Sequence, residues 1–130
     1  MKLKDLLPRV SMLCEMAKID KQMSGLSRDL WIGPVGGQHS PFRIKVSNTT
    51  NGFDKNNNFS ISISNNPQII RGHKSLISSD ELEDIFDWIK TNSDKLQLAQ
   101  KAVEKGELFI TYNNKKYNYE DFLHQLLQKI

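Results

Sequence analysis

Two segments, His39-Ser-Pro-Phe-Arg-Ile-Lys-Val46 and Asp84-Ile-Phe-Asp-Trp-Ile-Lys90, bound the stretch of sequence that decides the fold. Between them, apolar and polar residues alternate over residues 42–47 and again over 59–64. Alternation with a period of two predicts two half-buried strands that pair in antiparallel fashion. The strands are followed by a turn and a helix. This order predicts an α+β fold, with a small, mainly antiparallel sheet and helices packed on one face.

The start of that helix carries the sharpest local signal in the chain. Ser78 is placed to cap the free amides, and Glu81, three residues later, completes a capping box. Ile77 and Leu82 have the spacing of a hydrophobic staple. The pattern predicts a helix whose buried stripe consists of Leu82, Ile85, Phe86 and Ile89.

The same reasoning extends to both ends of the chain. Ser93 is predicted to cap a second helix that ends at Gly106, residues 107–117 read as a hairpin, and Asn118 is predicted to cap a last helix. Upstream, apolar residues recur every three or four positions from residue 3 to 17, which predicts an N-terminal helix. We therefore expect one domain, 1–130, made of an N-terminal helix (1–24), a β-β-α-α unit (30–105), and a hairpin with a C-terminal helix (107–130).

The composition is that of a globular protein. Of 130 residues, 38% are hydrophobic and 25% are charged, close to the norm for one folded domain. No apolar run approaches the roughly 20 residues of a membrane span, and the N-terminus lacks the pattern of a secretion signal. Cys14 is the only cysteine, so no intramolecular disulfide can form. These features predict a cytoplasmic protein, and the excess of lysine over arginine, 14 to 4, is typical of an AT-rich bacterium, its phage or its plasmid.

Charge is unevenly distributed along the chain. Residues 1–78 carry 11 Lys and Arg against 5 Asp and Glu, whereas residues 79–105 carry 4 against 7. A basic half can meet phosphates or an acidic partner, and an acidic helix can meet a basic one. The candidate partner-binding residues are Arg43, Lys45, Phe53, Lys55, Arg71 and Lys74 in the basic half, and Asp80, Asp84 and Asp87 on the acidic helix.

No motif for catalysis, metal binding or cofactor binding is present. The three histidines, His39, His73 and His124, have no ligand spacing, and the glycines at 33–37 do not form a phosphate loop. Phe53 stands alone in the asparagine-rich loop 48–58, as an exposed aromatic tip. No aromatic residue alternates with the basic residues of the predicted sheet face, so base stacking is not favoured.

The span from residue 39 to 99 resembles a family of small bacterial proteins of unknown function found near toxin–antitoxin-type loci. Its hallmark is a strand motif, His-x-Pro-Pro-His-x-His-Val, followed by a second strand and a helix that ends near Trp-x-x-x-Asn. Here the matching segments are His39-Ser-Pro-Phe-Arg-Ile-Lys-Val46, Phe59-Ser-Ile-Ser-Ile63 and Trp88-Ile-Lys-Thr-Asn92. Of the hallmark histidines only His39 is retained. The resemblance implies a compact β-β-α unit and no activity.

These features favour a non-catalytic binding protein that acts by contact with a protein partner, as an inhibitor of host defence (anti-CRISPR-like) or as a regulatory partner. No cofactor, metal or membrane is expected. Two alternatives stay open: a nucleic-acid-binding protein that uses the basic half, and a small enzyme that uses His39 and His73.

Overall fold

A computed structural model describes residues 17–32, 42–49, 52–54, 56–75 and 77–129. Most of the predicted N-terminal helix, including Cys14, lies outside these residues, and so do His39 and the candidate residue Lys55.

The central element is a five-stranded antiparallel sheet in which the strands lie side by side in chain order. One short helical turn, α1 (Lys21–Ser24), connects the first two strands. A meander of this kind needs only local reversals of the chain. The strands are β1 (Ala17–Ile19), β2 (Leu30–Ile32), β3 (Arg43–Ser47), β4 (Asn58–Ser62) and β5 (Ile69–Gly72).

The sheet is larger than the sequence pattern indicated. The two alternating segments are indeed the paired strands β3 and β4. However, the prediction that the N-terminal helix continues through Ala17–Ile19 is wrong, because these residues form β1 and pair with Leu30–Ile32. The edge strand β5 was not predicted. Three or four residues at a sheet edge carry too little periodicity to be recognised in sequence.

The remaining elements follow the sheet in the predicted order. Helix α2 (Ser79–Thr91) is followed directly by α3 (Ser93–Lys105). A two-stranded sheet, β6 (Phe109–Tyr112) with β7 (Lys115–Asn118), then leads into α4 (Tyr119–Leu126). The fold is therefore α+β, as predicted.

Most of the predicted caps and turns are confirmed. Ser78 accepts a hydrogen bond from the backbone N–H of Glu81 at 3.1 Å, and Asn118 accepts one from Asp121 at 2.8 Å. Gly106 ends α3 in the left-handed conformation. Asn113 and Asn114 both have positive φ, 50° and 63°, which is the backbone that a tight hairpin turn requires.

The predicted cap at Ser93 is wrong. Asn92 is the N-cap of α3, and its side chain makes no capping bond. Instead, the Asn92 amide group donates to the carbonyls of Trp88 and Gln128 and accepts from the Gln128 N–H. Ser93 donates to the side chain of Asn65. Asn92 thus fastens the residues after α4 to the junction between α2 and α3, a contact that sequence spacing cannot show.

One face of the large sheet forms the core with the helices. Ile44, Val46, Phe59 and Ile61 point to this face and are almost completely buried, together with apolar residues of α2, α3 and α4. Since side chains alternate along a strand, the polar residues between them point to the opposite face. None of the described helices is long and apolar enough to cross a membrane.

An ion pair between the buried Arg28 and the partly exposed Glu81 holds α2 to the sheet. Arg28, which is 5% exposed, donates two hydrogen bonds of 2.9 Å to the Glu81 carboxylate and a third, of 2.8 Å, to the carbonyl of Ser47 at the end of β3. The Ser27 hydroxyl donates to the same carboxylate. A two-pronged guanidinium–carboxylate pair sets orientation as well as distance. The start of α2 is thereby fixed relative to the strand that carries the candidate site.

Candidate binding site on the sheet face

The register of the sheet brings the basic residues of three strands into neighbouring positions. Lys45 of β3 lies opposite Ser60 of β4, and Ser60 lies opposite Arg71 of β5. Arg43 lies two residues before Lys45, opposite Ser62, and therefore belongs to the same face. Because neighbouring strands are about 4.8 Å apart, the backbones of Lys45 and Arg71 lie roughly 10 Å from each other.

These residues surround a hollow with a volume of about 450 Å³, which we call the basic hollow. It lies on the face of the sheet opposite the one that packs against α2, α3 and α4. Four of the residues predicted from the sequence meet there, and the loop between β3 and β4 closes one side. The lining consists of Arg43, Lys45, Phe53, Asn56, Asn58, Ser60, Arg71 and Gly72.

Among the described residues, the lining of the basic hollow contains three cations and no carboxylate. Within the described part of the chain, the ion pairs join Lys18 to Asp29 and Arg28 to Glu81, so they do not involve the cations of the hollow. The Arg43 Nε atom is buried and has no hydrogen-bond partner among the described residues. Buried donors are normally satisfied. The described lining is therefore positively charged, and one of its buried donors has no partner among the described residues.

Polar side chains order the loop that borders the hollow. Ser47 Oγ accepts from the backbone N–H groups of Thr49 and Asp54, at 3.3 and 3.1 Å. The buried Asn48 amide group donates to Asn57 Oδ1 at 2.9 Å. The same amide donates to the carbonyl of His73 and accepts from the N–H of Ser75, which ties the loop to the segment after β5.

Phe53 is not the exposed, isolated tip that the sequence indicated. Its side chain is half-buried, and its ring packs edge-on against Trp31 with 5.2 Å between ring centres. Trp31, 8% exposed, lies opposite Lys45 in the register of β2 and β3, and so on the basic face. No aromatic residue alternates with Arg43 and Lys45 along β3, as predicted, but the neighbouring strand adds Trp31 to this face, which the sequence pattern did not indicate. Leu30, Trp31 and Ile32 are all buried, so the sequence offers no alternation that assigns Trp31 to a face.

Gly72 contributes to the hollow through the absence of a side chain. Its φ is +77°, and a Cβ atom there would lie 2.6 Å from the carbonyl oxygen of Asn58 and 3.0 Å from the Cα of Phe59. Contacts so short require glycine. The close approach holds β5, and with it Arg71, against β4. In the sequence, the only signal for this role is a glycine that directly follows Arg71 at the end of an apolar segment.

The other candidate residues that the structure describes do not line the hollow. Lys74 is exposed and donates to the Ser79 hydroxyl at 3.4 Å. Asp80, Asp84 and Asp87 are exposed on α2, in agreement with an acidic helix surface. The structure therefore separates the two predicted binding surfaces and joins only the basic one to the loop.

The described residues contain no group of three or more His, Cys, Asp or Glu side chains that could hold a metal ion. His73 and His124 are both exposed. Since His39 lies outside the described residues, its predicted convergence with His73 stays a prediction.

Comparisons of the chain with protein-family models, curated proteins and solved structures find no match. The resemblance of residues 39–99 to the small bacterial family stays a prediction.

Proposed function

We propose that this protein is a non-catalytic binding protein that holds an acidic group of a protein partner in the basic hollow. The observation that carries the proposal is the convergence of Arg43, Lys45 and Arg71 on one concave surface without a carboxylate partner among the described residues. Uncompensated cations in a concavity attract anions and increase the rate at which a charged partner associates.

The extent of the hollow favours a protein partner over a nucleic acid. A nucleic acid strand presents a phosphate at every nucleotide and is met by a track of cations. Here the cations of the hollow lie on β3 and β5. On the same face, the position next to Lys45 on β2 is the buried Trp31, and the next position, on β1, is Lys18, which is paired with Asp29 at 3.3 Å. A compact set of three cations suits one acidic side-chain group or a small cluster of them.

Single-stranded nucleic acid is the second candidate because an aromatic ring lies beside the cations. Phe53 lines the hollow with Arg43 and Lys45, and base stacking on a ring next to basic residues is the usual mode of single-strand binding. Nuclease treatment distinguishes the two candidates, because it removes a nucleic acid ligand and leaves a protein partner intact.

The test is affinity capture from a bacterial lysate with and without nuclease, using the wild type and the double variant R43E/K45E. The control is K90E/K105E, which makes the same charge change at two exposed lysines of α2 and α3. A protein that is captured after nuclease treatment, retained by the control and lost from R43E/K45E supports the proposal. Capture of nuclease-sensitive material alone would favour nucleic-acid binding. Equal capture by both double variants would contradict a role for the hollow.

The predicted role as an inhibitor of host defence rests on chain length and surface charge and stays a prediction. The identity of a captured partner would decide it.

A further inference from the structure

The charge of the basic hollow exceeds what one carboxylate would neutralise. A carboxylate brings one negative charge and two oxygens, whereas a phosphate monoester brings a charge of about −1.5 to −2 at pH 7 and three acceptor oxygens. Two of the cations of the hollow are arginines, whose planar forks match phosphate oxygens in pairs. The third, Lys45, is a point charge that lies two residues from Arg43 on β3 and across Ser60 from Arg71.

Neutral donors supplement the cations. The Ser60 hydroxyl and the Asn56 amide group line the hollow. Ser60 is 2% exposed and lies between Lys45 and Arg71 in the register of the sheet. An anion with several oxygens can engage such donors together.

The volume of the hollow and the Phe53 ring in its lining indicate what kind of group would carry a bound phosphate. A volume of about 450 Å³ is within the range of small-molecule pockets and exceeds the needs of a phosphate group alone. The half-buried Phe53 ring is held in place by Trp31 and offers an apolar surface beside the cations. A planar ring would pack well against it.

We propose that the basic hollow binds a phosphate monoester, with the phosphoryl group on Arg43, Lys45 and Arg71 and a ring-bearing body against Phe53. The inference rests on the proposed binding function and specifies its ligand chemistry. Two sources share this chemistry: a phosphorylated tyrosine of a partner protein and a nucleoside monophosphate.

The experiment is calorimetric titration of the purified protein with phenyl phosphate, phenyl sulfate and benzoate, which share a ring and differ in the charge and number of oxygens. We expect phenyl phosphate to bind about tenfold more tightly than phenyl sulfate or benzoate, which are monoanions. An additional charge-assisted hydrogen bond increases affinity by about a factor of ten or more. K45Q and R71Q should each weaken phenyl phosphate binding about tenfold. The control K105Q, at an exposed lysine of α3, should leave it unchanged, and thermal unfolding verifies that all variants fold.

Equal affinity for the three probes would overturn the preference for phosphate and would leave the acidic-partner proposal intact. Binding that persists in K45Q and R71Q would place the ligand elsewhere and contradict the inference, as would no binding of phenyl phosphate at all. A second pair of titrations, with a phosphotyrosine peptide and with adenosine monophosphate, assigns the source. Tighter binding of either one supports the shared chemistry, and binding of neither overturns it.

Discussion

At the scale of single residues, Glu81 shows how one side chain serves two structural roles of which only one is visible in sequence. Its position three residues after Ser78 predicts the capping box, in which the Ser78 side chain accepts from the Glu81 N–H and the Glu81 carboxylate accepts from the Ser78 backbone, and both contacts are present. Its carboxylate also accepts two hydrogen bonds from Arg28, 53 residues earlier in the chain. The hydrogen bonds from Arg28 hold the pKa of Glu81 below its ordinary value of 4.5, although burial opposes them. The cap is predictable because Ser78 and Glu81 are three residues apart, whereas the ion pair with Arg28 forms only in the folded chain.

We predict that E81Q lowers the free energy of unfolding by about 2 kcal/mol at pH 7, because the nearly buried Arg28 loses its charged partner. Since the pKa of Glu81 is lowered on folding, its contribution is complete above pH 4.5, decreases as the pH falls through that value, and is lost below the pKa of the folded state. Urea unfolding of the wild type and E81Q from pH 7 to pH 3 measures the difference.

E83Q is the control for this series, because Glu83 is exposed on the same helix. It should be nearly neutral in stability. A difference between the wild type and E81Q that stays constant down to pH 3 would show that the carboxylate charge is not what stabilises the contact.

At the scale of elements, predictability followed length and periodicity. Strands β3 and β4 have five residues each with clear alternation, and they were predicted with their faces. Strands β1 and β5 have three and four residues and lie at the two edges of the sheet. Their strand conformation comes from pairing with β2 and β4. The edge strand that the sequence did not predict is part of the candidate site, because β5 carries Arg71, which lines the hollow.

Gly72 provides a test of how β5 is held. G72A places a Cβ 2.6 Å from the carbonyl oxygen of Asn58, whereas G52A, at a similar φ of +86°, meets nothing within 4 Å. Both substitutions strain the backbone, but only the first also forces β5 away from β4. We expect G72A to cost about 2 kcal/mol more than G52A in urea unfolding. Equal costs would show that the close approach of the two strands is not required.

At the scale of the whole molecule, the α+β class and the packing of α2, α3 and α4 on one face of the sheet could be predicted from the sequence. Strand alternation and helix capping each depend on residues only a few positions apart. The candidate site was predictable only in part. Arg43 and Lys45 share a face by simple alternation, whereas Arg71 and Phe53 join them through the register of β4 with β5 and through the contact of Phe53 with Trp31. Long-range pairing of this kind leaves no signal in a single sequence.

The central claim is that a partner docks over the basic hollow, and photo-crosslinking tests it most directly. The photoreactive amino acid p-benzoylphenylalanine replaces Phe53, which lines the hollow, or Phe109, which is 49% exposed on β6 and is the matched control. We predict that a nuclease-treated lysate yields a crosslinked protein from position 53 and not from position 109, and that adding R43E/K45E abolishes the crosslink. Crosslinking from position 109 alone, or from position 53 regardless of R43E/K45E, would contradict the account.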